Sequence, residues 1–140
     1  MYPKADIPVF QMSLNRLGDE KYHYNLGKKL SKLRERGILI IGSGNIVHNL
    51  GIMDYDMFAT PFEWATEFDK YICDAVVNRE HKKIISYQSI GKSSKLSVPT
   101  KEHYLPLLYI AGLQEASDEV NFIYRGIQHG SMSMTCIKIG

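Results

Sequence analysis

Apolar residues recur along this chain in two rhythms. Tyr22, Leu26, Leu30 and Leu33 follow one another at spacings of four, four and three, which lines one stripe of an amphipathic helix. Asp19 caps its start and Gly37 takes the C′ position after Arg36. A second stripe joins Phe62, Ala65, Phe68, Ile72, Ala75 and Val76. It opens on Thr60-Pro61-Phe62-Glu63, a capping box with proline at the first helical position, and predicts a helix to about Arg79. Elsewhere the apolar residues run together. Ile7 to Leu14 predicts a strand, with Pro8 near its start where a missing N–H is tolerated. Gly37 to Gly42 is too short for a helix and predicts a strand buried on both faces. Strand, helix and buried strand together predict a βαβ unit with parallel pairing.

The remaining elements are shorter. His81 to Gly91 predicts a second short helix, and Lys92 to Val98 a loop. A further helix is predicted from Pro99-Thr100, with Thr100 as N-cap and Gly112 near its end. Asn121 to Gln128 and Ser131 to Ile139 read as two strands joined through His129-Gly130, a hairpin at a sheet edge. Ser43 to Thr60 has no clear period. Connections of that length are functional or carry short local structure of their own.

The chain's 140 residues suffice for one domain with one core. With 44% hydrophobic and 23% charged residues it falls outside the disordered, collagen-like and disulfide-dense classes. A net charge of +2 is too small for a nucleic-acid footprint. Lys28, Lys29, Lys32, Arg34 and Arg36 cluster at helical spacing, as a solvated helix face does. Cys73 and Cys136 form no CxxC pair, and each is expected as a buried, inert thiol. No signal peptide is expected at the start, and no apolar run approaches the ~20 residues of a membrane span. A cytoplasmic location is the default expectation.

Three places carry candidate chemistry. Gly42-Ser43-Gly44-Asn45-Ile46-Val47-His48-Asn49 follows the predicted buried strand, where parallel sheets present their loops to a ligand crevice. Its glycines permit sharp turns and close approach. It lacks the Gly-Lys-[Ser/Thr] of a phosphate-binding loop and the third glycine of a dinucleotide fingerprint. His48 is either a site residue or a capping or core histidine. His103 falls in the first turn of the predicted helix after Pro99, with Glu102 beside it as an alternative ligand. His129 stands in the predicted hairpin turn, while His23 and His81 read as structural or solvated. Non-haem iron oxygenases use two histidines and a carboxylate; the sequence offers candidates for part of such a set and no HxH or HxxxH pair to anchor it.

These same stretches resemble the class III extradiol ring-cleavage dioxygenase family, nearest its DOPA 4,5-dioxygenase-like branch. The resemblance is carried by Ile40 to Asn49, by Asp6-Ile7-Pro8-Val9 through Leu14, and by Tyr22-His23-Tyr24 through Gly27. Trp64-Ala65 with Phe68-Asp69, Val98-Pro99-Thr100 with Glu102 to Leu108, and Gly130 to Met134 extend it in family order over nearly the whole chain. It implies a three-layer α/β/α domain with a central, mostly parallel sheet, of which residues 1–140 are the C-terminal part. It implies ring opening of a DOPA-like catechol with O2 at one divalent metal, Fe(II) or Zn(II). His48 is then ligand or acid/base, His103 or alternatively Glu102 a metal ligand, and Ser43, Asn45 and His129 substrate contacts. The family draws two further histidine ligands from an N-terminal half, so a separate half is the expected partner, and this chain alone is expected to be inactive. The alternatives are a non-catalytic remnant or interaction module keeping the α/β fold, and zinc binding without oxygenase activity.

Overall fold

The structure is a computed structural model and describes residues 3–140. Its centre is helix α6 (Leu105–Leu113). The sequence LPLLYIAGL has no polar face, so α6 must be covered on nearly every side. Leu105, Leu108, Ala111 and Leu113 are buried accordingly. Helix α1 (Glu20–Lys29) crosses α6 at close range, because Gly27 lies on the Tyr109 backbone and Gly112 on the Tyr24 carbonyl. Asp19 caps α1 as expected, its carboxylate accepting from the Tyr22 N–H at 2.7 Å. The glycine contact turns the helix away from its expected orientation. His23 and Gly27 are buried, while Leu26, Leu30 and Leu33 are half-buried and Tyr22 is exposed. The long predicted helix breaks at Leu30, and a single turn, α2 (Ser31–Arg34), precedes Gly37 at φ +72°.

The stripe of α3 (Glu63–Val77) packs as its spacing predicts, with Ala65, Phe68, Ile72, Ala75 and Val76 wholly buried. The expected capping box does not form. Phe62 is the N-cap, without a side-chain bond, and its N–H donates to Gly130 across the chain. Helix α4 (His81–Ile85) and a 3-10 turn fill the predicted short helix. Lys92 to Val98 is not a loop: α5 (Lys92–Ser97) packs small, buried Ser93, Ser94 and Ser97, which leave no apolar stripe to read. The basic cluster is not wholly solvated, since Arg34 forms a two-point bond to buried Asp118 at 2.7 Å each.

Strands β1 (Val120–Tyr124) and β4 (Cys136–Ile139) pair antiparallel, and β2 (Ile127–Gln128) and β3 (Met132–Ser133) continue the same hairpin. The turn is at His129-Gly130, as expected, with φ +52° and +70°, the pair of positive angles that a tight hairpin turn uses. The ladders among the described residues are both antiparallel. The expected parallel βαβ unit is not formed there. Residues 7–14 and 38–42 form neither helix nor strand and enter no ladder. The reason is physical: a strand needs a neighbour, and between Leu39 and Gly44 no N–H or C=O meets another described backbone group. Cys136 is exposed rather than buried, whereas Cys73 is buried in α3 with its thiol pushed up to about 12 by desolvation. No helix among the described residues is long and apolar enough to cross a membrane.

Candidate functional site

The loop from Gly42 to Asn49 lies on the N-terminal end of α6. A Cβ on Gly44 would overlap the His103 carbonyl, and one on Gly42 would press on the Pro106 carbonyl and Ile110. This close approach is why glycine stands at both positions. The Asn45 N–H donates to the same His103 carbonyl at 2.8 Å. On its other side the loop is tied to β3. The Ser133 N–H donates to Val47 at 2.9 Å, and Asn45 Nδ2 donates back to the Ser133 carbonyl at 2.6 Å. The His48 N–H donates to the Ser97 carbonyl at 2.8 Å, and His48 bridges to Met132. Asn49 Nδ2 reaches Leu96, and Ser131 Oγ donates to the Asn49 carbonyl.

The product of these ties is a stacked pair. The imidazoles of His48 and His103 lie 3.7 Å apart, centroid to centroid, with planes 8° from parallel. His103 occupies the turn just before α6, not the first turn of a helix from Thr100. Pro106 can sit only near a helix start, so the helix begins at Leu105. The His48 pKa is lowered from 6.5, by burial first and by the neighbouring His103 second. Near neutral pH His48 is therefore an uncharged ring, able to accept a proton.

Imidazole lone pairs lie in the ring plane. Two parallel rings stacked face to face cannot aim at one ion in this arrangement. No group of three or more His, Cys, Asp or Glu among the described residues is placed to hold a metal ion. These residues therefore do not fit a complete metal centre by themselves. Glu102 is exposed, its carboxyl held below its ordinary 4.5 chiefly by its own backbone N–H.

The other expected site residues separate. Ser43 is exposed, on the rim of a groove that also includes Asn45 and His103. Asn45 has its amide N–H committed to Ser133. His129 points its Nδ1–H at the Asp54 carbonyl, 2.9 Å away, and accepts the Asp54 N–H in return. It anchors the second half of the long connection rather than joining the histidine pair. His23 is buried, with Nδ1 against the Tyr109 hydroxyl, and His81 bridges Tyr24 and Gln114. Both are structural.

Sequence reasoning overlooked Asp69. This buried α3 carboxylate accepts from Ser133 Oγ at 2.5 Å and Thr135 Oγ1 at 3.0 Å, with Arg125 at 3.4 Å. It fixes β3, and through Ser133 the His48 loop. A signal existed: Asp69 falls four residues after Ala65 and three before Ile72, on the buried stripe itself.

Residues 1–135 match the family described as the catalytic LigB subunit of aromatic ring-opening dioxygenase. The chain belongs to this LigB family. It is 37% identical over its whole length to the 4,5-DOPA dioxygenase extradiol of Escherichia coli K12, covering 52% of that protein. It is 34% identical to the enzyme of the same name from Portulaca grandiflora, over 99% of this chain and 51% of the relative. A crystal structure of an uncharacterized Escherichia coli K12 protein superposes with a TM-score of 0.92 at 36% identity, over all of this chain and 58% of that one. The chain is thus extradiol-dioxygenase-like, and this LigB chain spans about half the length of the curated relatives it matches.

Proposed function

We propose that this chain is the C-terminal part of a ring-opening dioxygenase domain acting on a catechol, DOPA-like by the names of its relatives, with O2 as co-substrate. The assembled domain is a three-layer α/β/α fold. The observation that carries the reading is the stacked pair of His48 and His103, built by the stretches that match the family. In this reading His48 is the acid/base residue. Its lowered pKa leaves it neutral and ready to take one catechol proton and return it to the opened product. His103, with Glu102 as the alternative, contributes one ligand to a divalent metal, Fe(II) or Zn(II). Two histidines from the remaining part of the domain complete the set. Ser43 lies on the substrate side.

The test uses the 140-residue chain with and without the remaining portion of the Escherichia coli relative, loaded anaerobically with iron(II). Metal content and catechol-dependent oxygen uptake are measured. The expected result is little metal and no turnover for the chain alone, and both for the pair. In the pair, His48→Gln should keep the metal and lower turnover by ~100-fold or more, while His103→Ala should lower metal content. Metal-loaded pair without ring opening, or full activity of His48→Gln, rejects the assignment.

A further inference from the structure

A groove of about 890 Å³ runs between two lengths of backbone. One wall is the 38–44 segment, the other is β4, and α6 forms the floor through Leu107, Ile110 and Leu113. Both walls leave main-chain groups without a backbone partner among the described residues. β4 bonds only to β1 among the described residues, and every residue from Cys136 to Ile139 lines the groove. From Leu39 to Gly44 the main chain bonds to no other described backbone group. The lining is apolar, with Ile38, Ile40, Ile137 and Ile139 facing it, and the exposed flank continues over Leu39 at 68% and Ile41 at 63%. Exposed apolar surface beside open strand edges is the signature of a seat for another strand.

We infer that the groove receives an extended β-strand, which bonds to the 38–44 segment on one side and to β4 on the other. The occupant is a strand of the part of the LigB-family domain that the relatives carry beyond this chain's span, on the same polypeptide or another. Three observations favour it over a small ligand. The walls offer main-chain donors and acceptors along their length, which a strand satisfies and a catechol does not. The volume far exceeds that of one aromatic ring. Finally, the matched relatives and the superposed crystal structure hold 42–49% of their own length outside the matched region, since this chain covers 51–58% of each. The inference deepens the dioxygenase reading by naming how the second part docks, and it places that part beside His103, at one end of the groove.

The test needs no metal and no turnover. The purified chain is mixed with the remaining portion of the Escherichia coli relative, and amide hydrogen exchange is followed along with maleimide labelling of Cys136. That thiol is exposed and lines the groove, whereas Cys73 is buried and serves as the silent control. A one-to-one complex should form, with slowed exchange at residues 39–44 and 136–139 and at least tenfold slower labelling. Ile40→Pro and Ile41→Pro are made separately, because alternate residues send their N–H groups to opposite edges. Neither removes a backbone bond present in the chain, so both should fold, as thermal melting would verify. One of the two should weaken the complex tenfold or more by deleting a ladder donor. The inference is overturned by absence of a complex, by protection confined to other surfaces, by indifference to both prolines, or by a homodimer of this chain protecting the same amides. Docking as described without ring opening on iron loading would sink the enzymatic reading and leave this one standing.

Discussion

Two parts of this molecule obey opposite rules. Around α3, α5, α6 and the hairpin, apolar side chains are buried and buried polar groups are nearly all paired. Along 7–14 and 38–44, equally apolar sequence lies open, with its main chain largely unpaired. The first region is closed by contacts within the chain, and the second has few among the described residues. Hydrophobicity alone does not predict burial. Burial also requires a surface to be buried against.

Substitutions can break or sharpen this contrast. Phe68→Ala strikes the closed region hardest. Its ring is wholly buried among Tyr87 and Tyr104, and its loss should lower unfolding free energy by about 3–5 kcal/mol in a denaturant titration. Asp69→Ala strands the Ser133 and Thr135 hydroxyls and should cost about 2–3 kcal/mol. Fast amide exchange at Val47 to Asn49 should accompany it, because Ser133 anchors that loop.

Acid should act through Asp118. Its carboxyl is held below its ordinary 3.8 first by the bond from Arg34. A depressed folded-state pKa means that this stabilisation is complete above about pH 3.8 and fades as pH falls through the lower folded value. Asp118→Asn should flatten that part of the acid-unfolding curve. It should lower stability at neutral pH by roughly 1–2 kcal/mol, a figure kept modest because Arg34 is partly solvated. The smallest effect belongs to the open region. Phe10→Ser and Leu39→Ser should each change the stability of the isolated chain by less than about 0.5 kcal/mol. A larger loss would mean that these residues pack within the chain after all.

The same contrast explains what the sequence discloses. The α3 stripe was legible because spacing reports the buried face of a helix that packs on its own chain. The hairpin was legible because His129-Gly130 supplies the two positive φ angles the turn requires. The α1 stripe misled, because Gly27 allowed backbone contact with α6 and shifted burial to His23. The runs at 7–14 and 38–42 were predicted as strands from their apolar character and form none among the described residues, because pairing depends on a neighbour that no local pattern encodes. At the candidate site, motif and resemblance singled out both His48 and His103. Their stacking was hidden, since it depends on Gly44 and Asn45 meeting a carbonyl some sixty residues later. Asp69 was passed over because the α3 stripe was counted in apolar residues alone.

The contact between Gly44 and the His103 carbonyl has a mechanical meaning. With no side chain between them, the loop and the turn that carry the two imidazoles are held together by direct main-chain contact. Loop and turn travel as one body. Even a single methyl group added at Gly44 would overlap the His103 carbonyl and force the loop and the turn apart.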